Sequence, residues 1–223
     1  MEALVRSFFN LEILAQAWPI LLAGLGVTAL LTVVVVPLGL AGGLAVALAS
    51  SSRSQWLRGA TIVYVDFFRA FPPLVLLMFV AYGLPFLDIR LGAFGSVALS
   101  FFLNTSSYYG EIFRAGIESV PRGQTEAARS TGLSALAAMR HVVLPQAARN
   151  VVPDLISNTL EVIKLTSIAS VVALPELLHA AREAQALTYN ATPIIAAGII
   201  YLVCLWPLVR LLSRFEHRQI ALH

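Results

Sequence analysis

Long stretches without charge dominate the pattern of this chain. Asp, Glu, Lys and Arg are all absent from four segments, the first of them 40 residues long: 13–52, 70–87, 91–110 and 184–209. A helix needs about 20 apolar residues to cross the hydrocarbon core of a bilayer, because each residue advances it by only about 1.5 Å. Peptide groups in lipid must be hydrogen-bonded within the chain, which favours helices. The pattern therefore predicts an all-α integral membrane protein.

About five transmembrane helices account for the apolar segments. We expect them in a single membrane domain over residues 1–223, at about 27–49, 60–84, 96–115, 151–174 and 192–212. A long polar section separates the third span from the fourth. Pro72 and Pro73 predict an interruption of the second span, because proline lacks the amide that a helix requires.

The first apolar segment is too long for one helix that crosses the bilayer perpendicularly. Pro19, Gly24 and Gly26 predict a break near its start. We therefore expect a lead-in helix over 11–25, followed by the first span. The alternative is a hairpin of two short helices with its tip at 42–43.

Arginine residues are distributed unevenly between the two sides that these spans define. The turn at 50–59, the section at 114–150 and the C-terminal tail share one side and hold ten arginines, against three on the other side. The ten are Arg53, Arg58, Arg114, Arg122, Arg129, Arg140, Arg149, Arg210, Arg214 and Arg218, and the three are Arg6, Arg90 and Arg182. Basic residues concentrate on the cytoplasmic side. The N-terminus is therefore expected outside and the C-terminus in the cytoplasm.

The composition argues against several classes of site. Only 12% of the residues are charged, 58% are hydrophobic, and the formal net charge is +3. A single cysteine, Cys204, excludes an internal disulfide and a cysteine-built metal site. The histidines lack the spacing of metal ligands, at 141, 179, 217 and 223. We expect no catalytic residue, metal or cofactor in this chain, and no binding of nucleic acid.

The polar section contains a segment, 121–146, that predicts two short helices. Gly132 lies between them and suits the left-handed conformation that ends a helix. Ser134 is expected to cap the second helix, and Pro145 to stop it. Ala128 and Gly132 are small and four residues apart, a spacing that allows close approach to a neighbouring helix.

Two interpretations of this segment are open from its spacing. Leu133, Leu136 and Met139 are suited to fill an apolar groove on a cytoplasmic partner. The commoner alternative is an amphipathic loop on the membrane surface, in which Glu126 pairs with Arg129.

An ordered set of motifs bears on this choice. Glu126-Ala127-Ala128 is followed by three residues and then Gly132, a pattern that resembles the EAA loop of permease subunits of ABC importers. Further matches to that family lie at 68–74 (FRAFPPL), 111–117 (EIFRAGI), 120–124 (VPRGQ), 144–147 (LPQA) and 164–167 (KLTS). Together they extend over about 26–218 and resemble permeases for polar amino acids such as histidine, glutamine, glutamate, arginine and opines.

The resemblance implies the type I ABC importer fold in a bacterial inner membrane. In that family the EAA loop, which we call the coupling loop (121–146), contains a coupling helix that docks into a separate ATPase subunit. The resemblance thus assigns coupling to Glu126, Ala127, Ala128, Gly132, Leu133, Leu136 and Met139. It also implies ATP and Mg²⁺ on that ATPase, a second permease chain, identical or different, and an extracytoplasmic solute-binding protein that delivers a polar amino acid.

Polar residues within the fourth predicted span are candidates for the substrate pathway. Asn158, Glu161 and Lys164 are spaced three apart, and ionisable side chains in a span usually face a cavity or one another. They either line the path of a zwitterionic amino acid, together with Thr166, or form a structural Glu161–Lys164 pair. Leu165 stands where the family pattern has aspartate, which leaves the substrate open.

Arg69, just before the double proline, is the remaining pathway candidate. Its alternative role, which is slightly favoured, is an ion pair with Asp66 three residues away. In the third span, Asn104, Tyr108 and Tyr109 are suited to contact substrate, but anchoring at the membrane interface is commoner for aromatic residues.

Two other function classes remain as alternatives to the importer subunit. A stand-alone carrier commonly has inverted repeats and more spans than this pattern provides. A membrane-embedded enzyme requires paired carboxylates or a histidine cluster at membrane depth. The sequence has no Gly-rich phosphate loop ending in Gly-Lys-Ser or Gly-Lys-Thr, so we expect ATP hydrolysis on a separate chain.

Overall fold

A computed structural model describes residues 7–52 and 54–220, with the backbone alone from 214 onward. The α-helices in chain order are α1 (Leu11–Ser50), α2 (Gln55–Ala70), α3 (Pro73–Met78), α4 (Gly92–Glu118), α5 (Arg122–Ser130), α6 (Ala135–Ala138), α7 (Leu144–Leu165), α8 (Leu177–Thr188) and α9 (Thr192–Ile220). Helix α3 continues as a π-helical turn (Phe79–Gly83) and a 3-10 turn (Leu84–Leu87). Another π-helical turn (Met139–Val143) joins α6 to α7, and a 3-10 turn (Thr166–Val172) extends α7.

Helix α1 is continuous over 40 residues, so the break expected between a lead-in helix (11–25) and the first span (27–49) is wrong. The hairpin with its tip at 42–43 is excluded for the same reason. A break would leave peptide groups unpaired, which is costly in lipid, so glycine and proline are tolerated inside such helices. Gly24 instead makes close packing possible, since a Cβ there would lie 2.6 Å from the Cβ of Ala180 in α8.

The predicted interruption of the second span is confirmed. Helix α2 ends at Ala70, Phe71 is extended with φ −80° and ψ 127°, and α3 begins at Pro73. Proline at 72 and 73 removes two successive amides, so the regular hydrogen-bond ladder of α2 cannot continue through this point.

Within the described residues, three helical stretches are long and apolar enough to cross a membrane: Leu11–Ser50, Ala135–Val172 and Thr192–Ser213. The interrupted pair, Gln55–Ala70 with Pro73–Leu87, adds a fourth if it acts as one span. The remaining predicted span, 96–115, which is the third in chain order, lies in α4. That helix has 27 residues, about 40 Å at 1.5 Å per residue, but its many polar residues keep it out of this apolar set.

The chain forms two compact units rather than one contiguous block. The first unit contains Pro73–Phe101 and the described parts of Met1–Val36 and Leu160–His223. The second contains the described parts of Pro37–Pro72, together with Phe102–Thr159. Helices α1, α4 and α7 each contribute to both units.

Two apolar clusters form the core of the first unit. One joins α1, α3, α4 and α7 with the 3-10 turn after α7, through Leu31, Val35, Leu77, Val97, Phe101, Val162, Ala169, Val172 and Leu174. The other joins α1, α8 and α9 through Ala17, Leu21, Leu177, Ala181, Ala184, Ala196 and Ala197. Alanine dominates the second cluster, which lets these helices approach closely.

A buried carboxylate organises the start of α8. Glu176 is 0% exposed, and its carboxylate oxygens accept hydrogen bonds from the amides of Leu178 and His179, both at 2.8 Å. The Tyr201 hydroxyl donates to the same group at 3.2 Å. Burial raises the pKa of the Glu176 carboxyl, and the helix amides partly offset this increase because they favour the charged form.

Glycines of α1 allow close packing against α4 in the second unit. A Cβ on Gly43 would lie 2.5 Å from the Cβ of Tyr109 and 2.8 Å from the amide nitrogen of Gly110. Gly39 and Gly42 face α4 in the same way. With Gly39 and Gly43 four residues apart, α1 presents the small-residue face that lets helix backbones approach in membranes.

This packing predicts that Gly43→Ala destabilises the protein by about 1–3 kcal/mol, because the added methyl has no space. The measurement is the thermal unfolding midpoint of the purified protein in mild detergent. Gly26→Ala is the matched control, since a Cβ at Gly26 meets no atom within 4 Å. The control should equal or exceed the natural chain, because alanine favours helix over glycine. Equal midpoints for both variants would contradict the packing argument.

Candidate functional site

The coupling loop adopts the two-helix arrangement that the sequence predicts. Helix α5 ends at Ser130, and Gly132 has φ +90°, the left-handed conformation expected there. The Ser134 hydroxyl accepts a hydrogen bond from the amide of Ala137 at 3.2 Å and so caps α6. Both local signals are confirmed.

The prediction that Pro145 stops the second helix is wrong. The chain stays helical from Ala135 to Leu165 because the π-helical turn before Pro145 uses a wider hydrogen-bond pattern. In it, the amide of Leu144 donates to the carbonyl of Met139, five residues back. The Gln146 side-chain amide donates to the Val142 carbonyl at 2.9 Å. The wider turn accommodates a proline that lacks an amide.

One side of the coupling loop is buried and the other is accessible. Ala128 and Ala138 are buried within the second unit, whereas Leu136 is 79% exposed and Met139 is exposed. Glu126 and Ala127 are also exposed, and Leu133 is half-buried. The predicted close approach at Gly132 is not found, since a Cβ there would meet no atom within 4 Å. Gly132 is required by its backbone conformation instead.

The ion pair between Glu126 and Arg129 is absent from the described part of the chain. The charge of Glu126 is therefore presented to the surroundings rather than neutralised within its own helix.

Contacts at its base hold the coupling loop to the ends of α4 and α7. Val120, Val143 and Ala147 form a buried cluster with Ile117 of α4 packed against it. The Asn150 side-chain amide donates to the Ser119 hydroxyl at 2.8 Å. A displacement of the loop would therefore act directly on the ends of α4 and α7.

Arg69 pairs with a different carboxylate from the one expected. Its Nη1 lies 3.8 Å from Oε1 of Glu111 in α4, so the expected pairing with Asp66 is wrong. Its guanidinium carbon lies 5.5 Å from the ring centroid of Tyr108, a cation–π geometry. Packing of α2 on α4 determines this choice, which the spacing along α2 alone does not indicate.

A chain of charges extends from Arg69 along α4. Arg114 donates to Glu111 through Nε at 2.9 Å and to Glu118 through Nη1 at 2.6 Å. Positive and negative charges thus alternate from Arg69 of α2 to Glu111, Arg114 and Glu118 of α4. This network was not predicted from the sequence, although the spacing of the three α4 residues, three and four apart, is the available signal.

Helix α4 buries an unusual number of polar side chains. The Tyr64 hydroxyl is 2.7 Å from the Ser106 hydroxyl, and the Tyr109 hydroxyl is 2.8 Å from the Thr159 hydroxyl. Tyr109 is fully buried among helices of the second unit, so its predicted alternative as an interfacial anchor is wrong.

The remaining pathway candidates differ in their surroundings. Glu161 and Lys164 form an ion pair, and their side chains are 67% and 52% exposed. Thr166 is fully buried, and its hydroxyl donates to the Ile163 carbonyl at 2.6 Å. The Asn158 Nδ2 is buried beside the Tyr109 side chain. Asn158 and Arg69 belong to the second unit, and the other three belong to the first.

Comparisons with known proteins identify the same family that the motifs resemble. Residues 36–220 match the family model described as the binding-protein-dependent transport system inner membrane component. A probable amino-acid ABC transporter permease of Bacillus subtilis (strain 168) is 35% identical over 198 residues, covering 88% of each chain. The arginine transport system permease of the same organism is 34% identical, covering 83% of this chain and 85% of the relative.

Solved structures of ABC transporters share the fold of this chain. A crystal structure of an amino acid ABC transporter with histidines matches with a TM-score of 0.87 at 34% identity, covering 92% of this chain and 96% of that one. An inward-facing MetNI methionine ABC transporter matches with a TM-score of 0.72 at 18% identity, covering 89% and 95%. The fold is thus that of type I ABC importer permeases, and the chain belongs to the family of binding-protein-dependent transport system inner membrane components.

Proposed function

We propose that this chain is the permease subunit of an ABC importer that carries a polar amino acid into the cell. The single observation that carries this proposal is the coupling loop. It presents Leu136, Met139 and Glu126 outward on a segment whose other side is anchored in the second unit. An exposed apolar side chain on a rigidly held helix is suited to enter a partner's groove. The relatives' names support an amino acid as the substrate.

The partner at this loop is proposed to be an ATPase subunit that binds ATP and Mg²⁺. Seven residues form the proposed contact: Glu126, Ala127, Ala128, Gly132, Leu133, Leu136 and Met139. Ala128 and Gly132 act through the shape of the loop, because Ala128 is buried and Gly132 provides the turn. The exposed members make the contact itself. Movement of the ATPase subunits would then act on α4 and α7 through the loop.

The assembly is proposed to contain two permease chains, identical or different, and an extracytoplasmic solute-binding protein. Few spans are available in one chain to enclose a path, which supports a pair. The proposed location of this assembly is the bacterial inner membrane. The arginine bias supports an outer N-terminus and a cytoplasmic C-terminus. Four arginines used in that count, or their side chains, lie outside the described residues: Arg6, Arg53, Arg214 and Arg218.

Five residues are proposed to line the substrate pathway: Arg69, Asn158, Glu161, Lys164 and Thr166. Charged groups within spans are costly unless they face water or one another. The exposure of both Glu161 and Lys164 supports access to a polar solute. A zwitterionic amino acid carries both charges that such a pair can meet.

The coupling proposal predicts that Leu136→Asp reduces the ATPase that co-purifies with the tagged chain by about tenfold, as for a central apolar contact. Glu126→Lys should reduce it as well. The measurement is purification from the native host in mild detergent, followed by quantification of the ATPase. Leu187→Asp is the matched control, because Leu187 of α8 is similarly exposed, at 68%, but lies outside the loop. Equal recovery in all variants, or no ATPase with the natural chain, would contradict the proposal.

The pathway proposal predicts that exchanging the two charges, in Glu161→Lys with Lys164→Glu, does not restore uptake lost in the single variants. A pathway must present each charge at its own position, whereas a structural pair works in either order. Folding should be preserved, because an exposed pair contributes only about 0–1 kcal/mol. The measurement is uptake of labelled histidine, glutamine, glutamate and arginine into cells. Recovery of uptake in the exchanged double variant would indicate structural pairing instead.

A further inference from the structure

The end of α2 lacks two backbone donors because of its sequence. In an α-helix, the amide of residue i donates to the carbonyl of residue i−4. The last such bond of α2 is from Phe71 to the Phe67 carbonyl, at 2.9 Å. Residues 72 and 73 are both proline, so the next two carbonyls, of Phe68 and Arg69, have no amide to pair with.

Two side chains of α4 supply the missing donors. The Asn104 amide Nδ2 donates to the Phe68 carbonyl at 3.1 Å, and the Tyr108 hydroxyl donates to the Arg69 carbonyl at 3.4 Å. Asn104 and Tyr108 are four residues apart, so they lie on the same face of α4, one turn from each other. They contact successive carbonyls of α2 in the same order. Asn104 is only 5% exposed, so water does not readily replace its bond.

Tyr108 contacts both the backbone and the side chain of Arg69. Its hydroxyl contacts the Arg69 backbone, and its ring lies under the Arg69 guanidinium at 5.5 Å. One turn further along α4, Glu111 lies 3.8 Å from that guanidinium. The side chain of Arg69 is 42% exposed and therefore stays accessible to a solute. The position of this charge thus depends on the face of α4 that carries Asn104, Tyr108 and Glu111.

We propose that Asn104 and Tyr108 are positioning residues for transport. They replace the two amides that Pro72 and Pro73 remove, and in doing so they hold the end of α2 where Arg69 presents its charge to the substrate. The role of Arg69 rests on the proposed function. The hydrogen bonds from Asn104 and Tyr108 to the carbonyls of Phe68 and Arg69 are independent of that function, because they rest on the observed contacts.

A first experiment tests whether the two residues act through Arg69. Asn104→Leu and Tyr108→Phe are each expected to raise KM for uptake by about threefold to tenfold, the range for one hydrogen bond, with Vmax largely retained. In an Arg69→Gln background, neither substitution should raise KM further, because the group they position is gone. The probe is whichever of labelled histidine, glutamine, glutamate and arginine the natural complex imports.

Ser107→Ala is the matched control for this experiment. Ser107 is as buried as Asn104, but among the described residues its hydroxyl bonds within α4, to the Asn104 carbonyl at 2.6 Å. Its removal should leave KM unchanged. Tyr108→Phe loses a single hydroxyl and carries the test if Asn104→Leu fails to accumulate. Additive effects in the Arg69→Gln background, or an unchanged KM in both variants, would overturn the positioning role.

A second experiment tests the pairing itself, without transport. Pro72→Ala removes the restriction that keeps Phe71 extended and returns an amide that can serve Phe68, and adding Pro73→Ala returns one that can serve Arg69. The fall in thermal midpoint caused by Asn104→Leu should therefore shrink by at least half with Pro72→Ala, and that of Tyr108→Phe with Pro72→Ala and Pro73→Ala together. Tyr108→Phe with Pro72→Ala alone should be additive. Additivity in the matched pairs as well would overturn the pairing.

The two experiments test the proposed function and the paired donors independently. If the natural complex imports neither these four amino acids nor cystine nor an opine, the proposed function is contradicted. Matched rescue of the midpoint would still support the paired donors, and its absence would overturn them.

Discussion

A bilayer offers no water to the peptide group, so each backbone donor and acceptor inside it must find its partner in the protein. The irregular points of this chain follow from that constraint. Pro145 is accommodated by a π-helical turn. The carbonyls of Phe68 and Arg69, which Pro72 and Pro73 leave without amide donors, accept instead from Asn104 and Tyr108 of another helix. Polar side chains of α4 thus satisfy groups on other helices.

The coupling loop combines local rules with tertiary anchoring. Gly132 and Ser134 shape it through backbone conformation and capping, while Ala128 is buried and the cluster around Val120 holds the base of the loop to the ends of α4 and α7. The residues that remain exposed include the charged Glu126 and Arg129 and the apolar Leu136 and Met139. Force applied to the loop therefore reaches α7, which carries Asn158, and α4, whose Glu111 contacts Arg69 of α2.

Sequence reasoning succeeded where a residue's local conformation decides the outcome. The left-handed Gly132, the Ser134 cap and the double-proline interruption each follow from the chemistry of one or two residues. It failed where the environment decides. Pro19 and Gly24 remain inside one helix because a break in lipid is costlier than a missing bond, and Gly24 packs against Ala180. Likewise, Arg69 pairs with Glu111 of another helix instead of the nearby Asp66. Such partners depend on which helices meet, which the spacing along one helix does not contain.

The central claim is that this chain couples ATP hydrolysis on a partner to amino-acid import. Its most direct test is reconstitution of the natural chain, its ATPase and its solute-binding protein in proteoliposomes. Labelled histidine, glutamine, glutamate and arginine are supplied outside, with the binding protein. The account predicts that at least one of them accumulates above its outside concentration only when ATP and Mg²⁺ are supplied on the ATPase side. Uptake that is equal without ATP would indicate a stand-alone carrier and contradict the account.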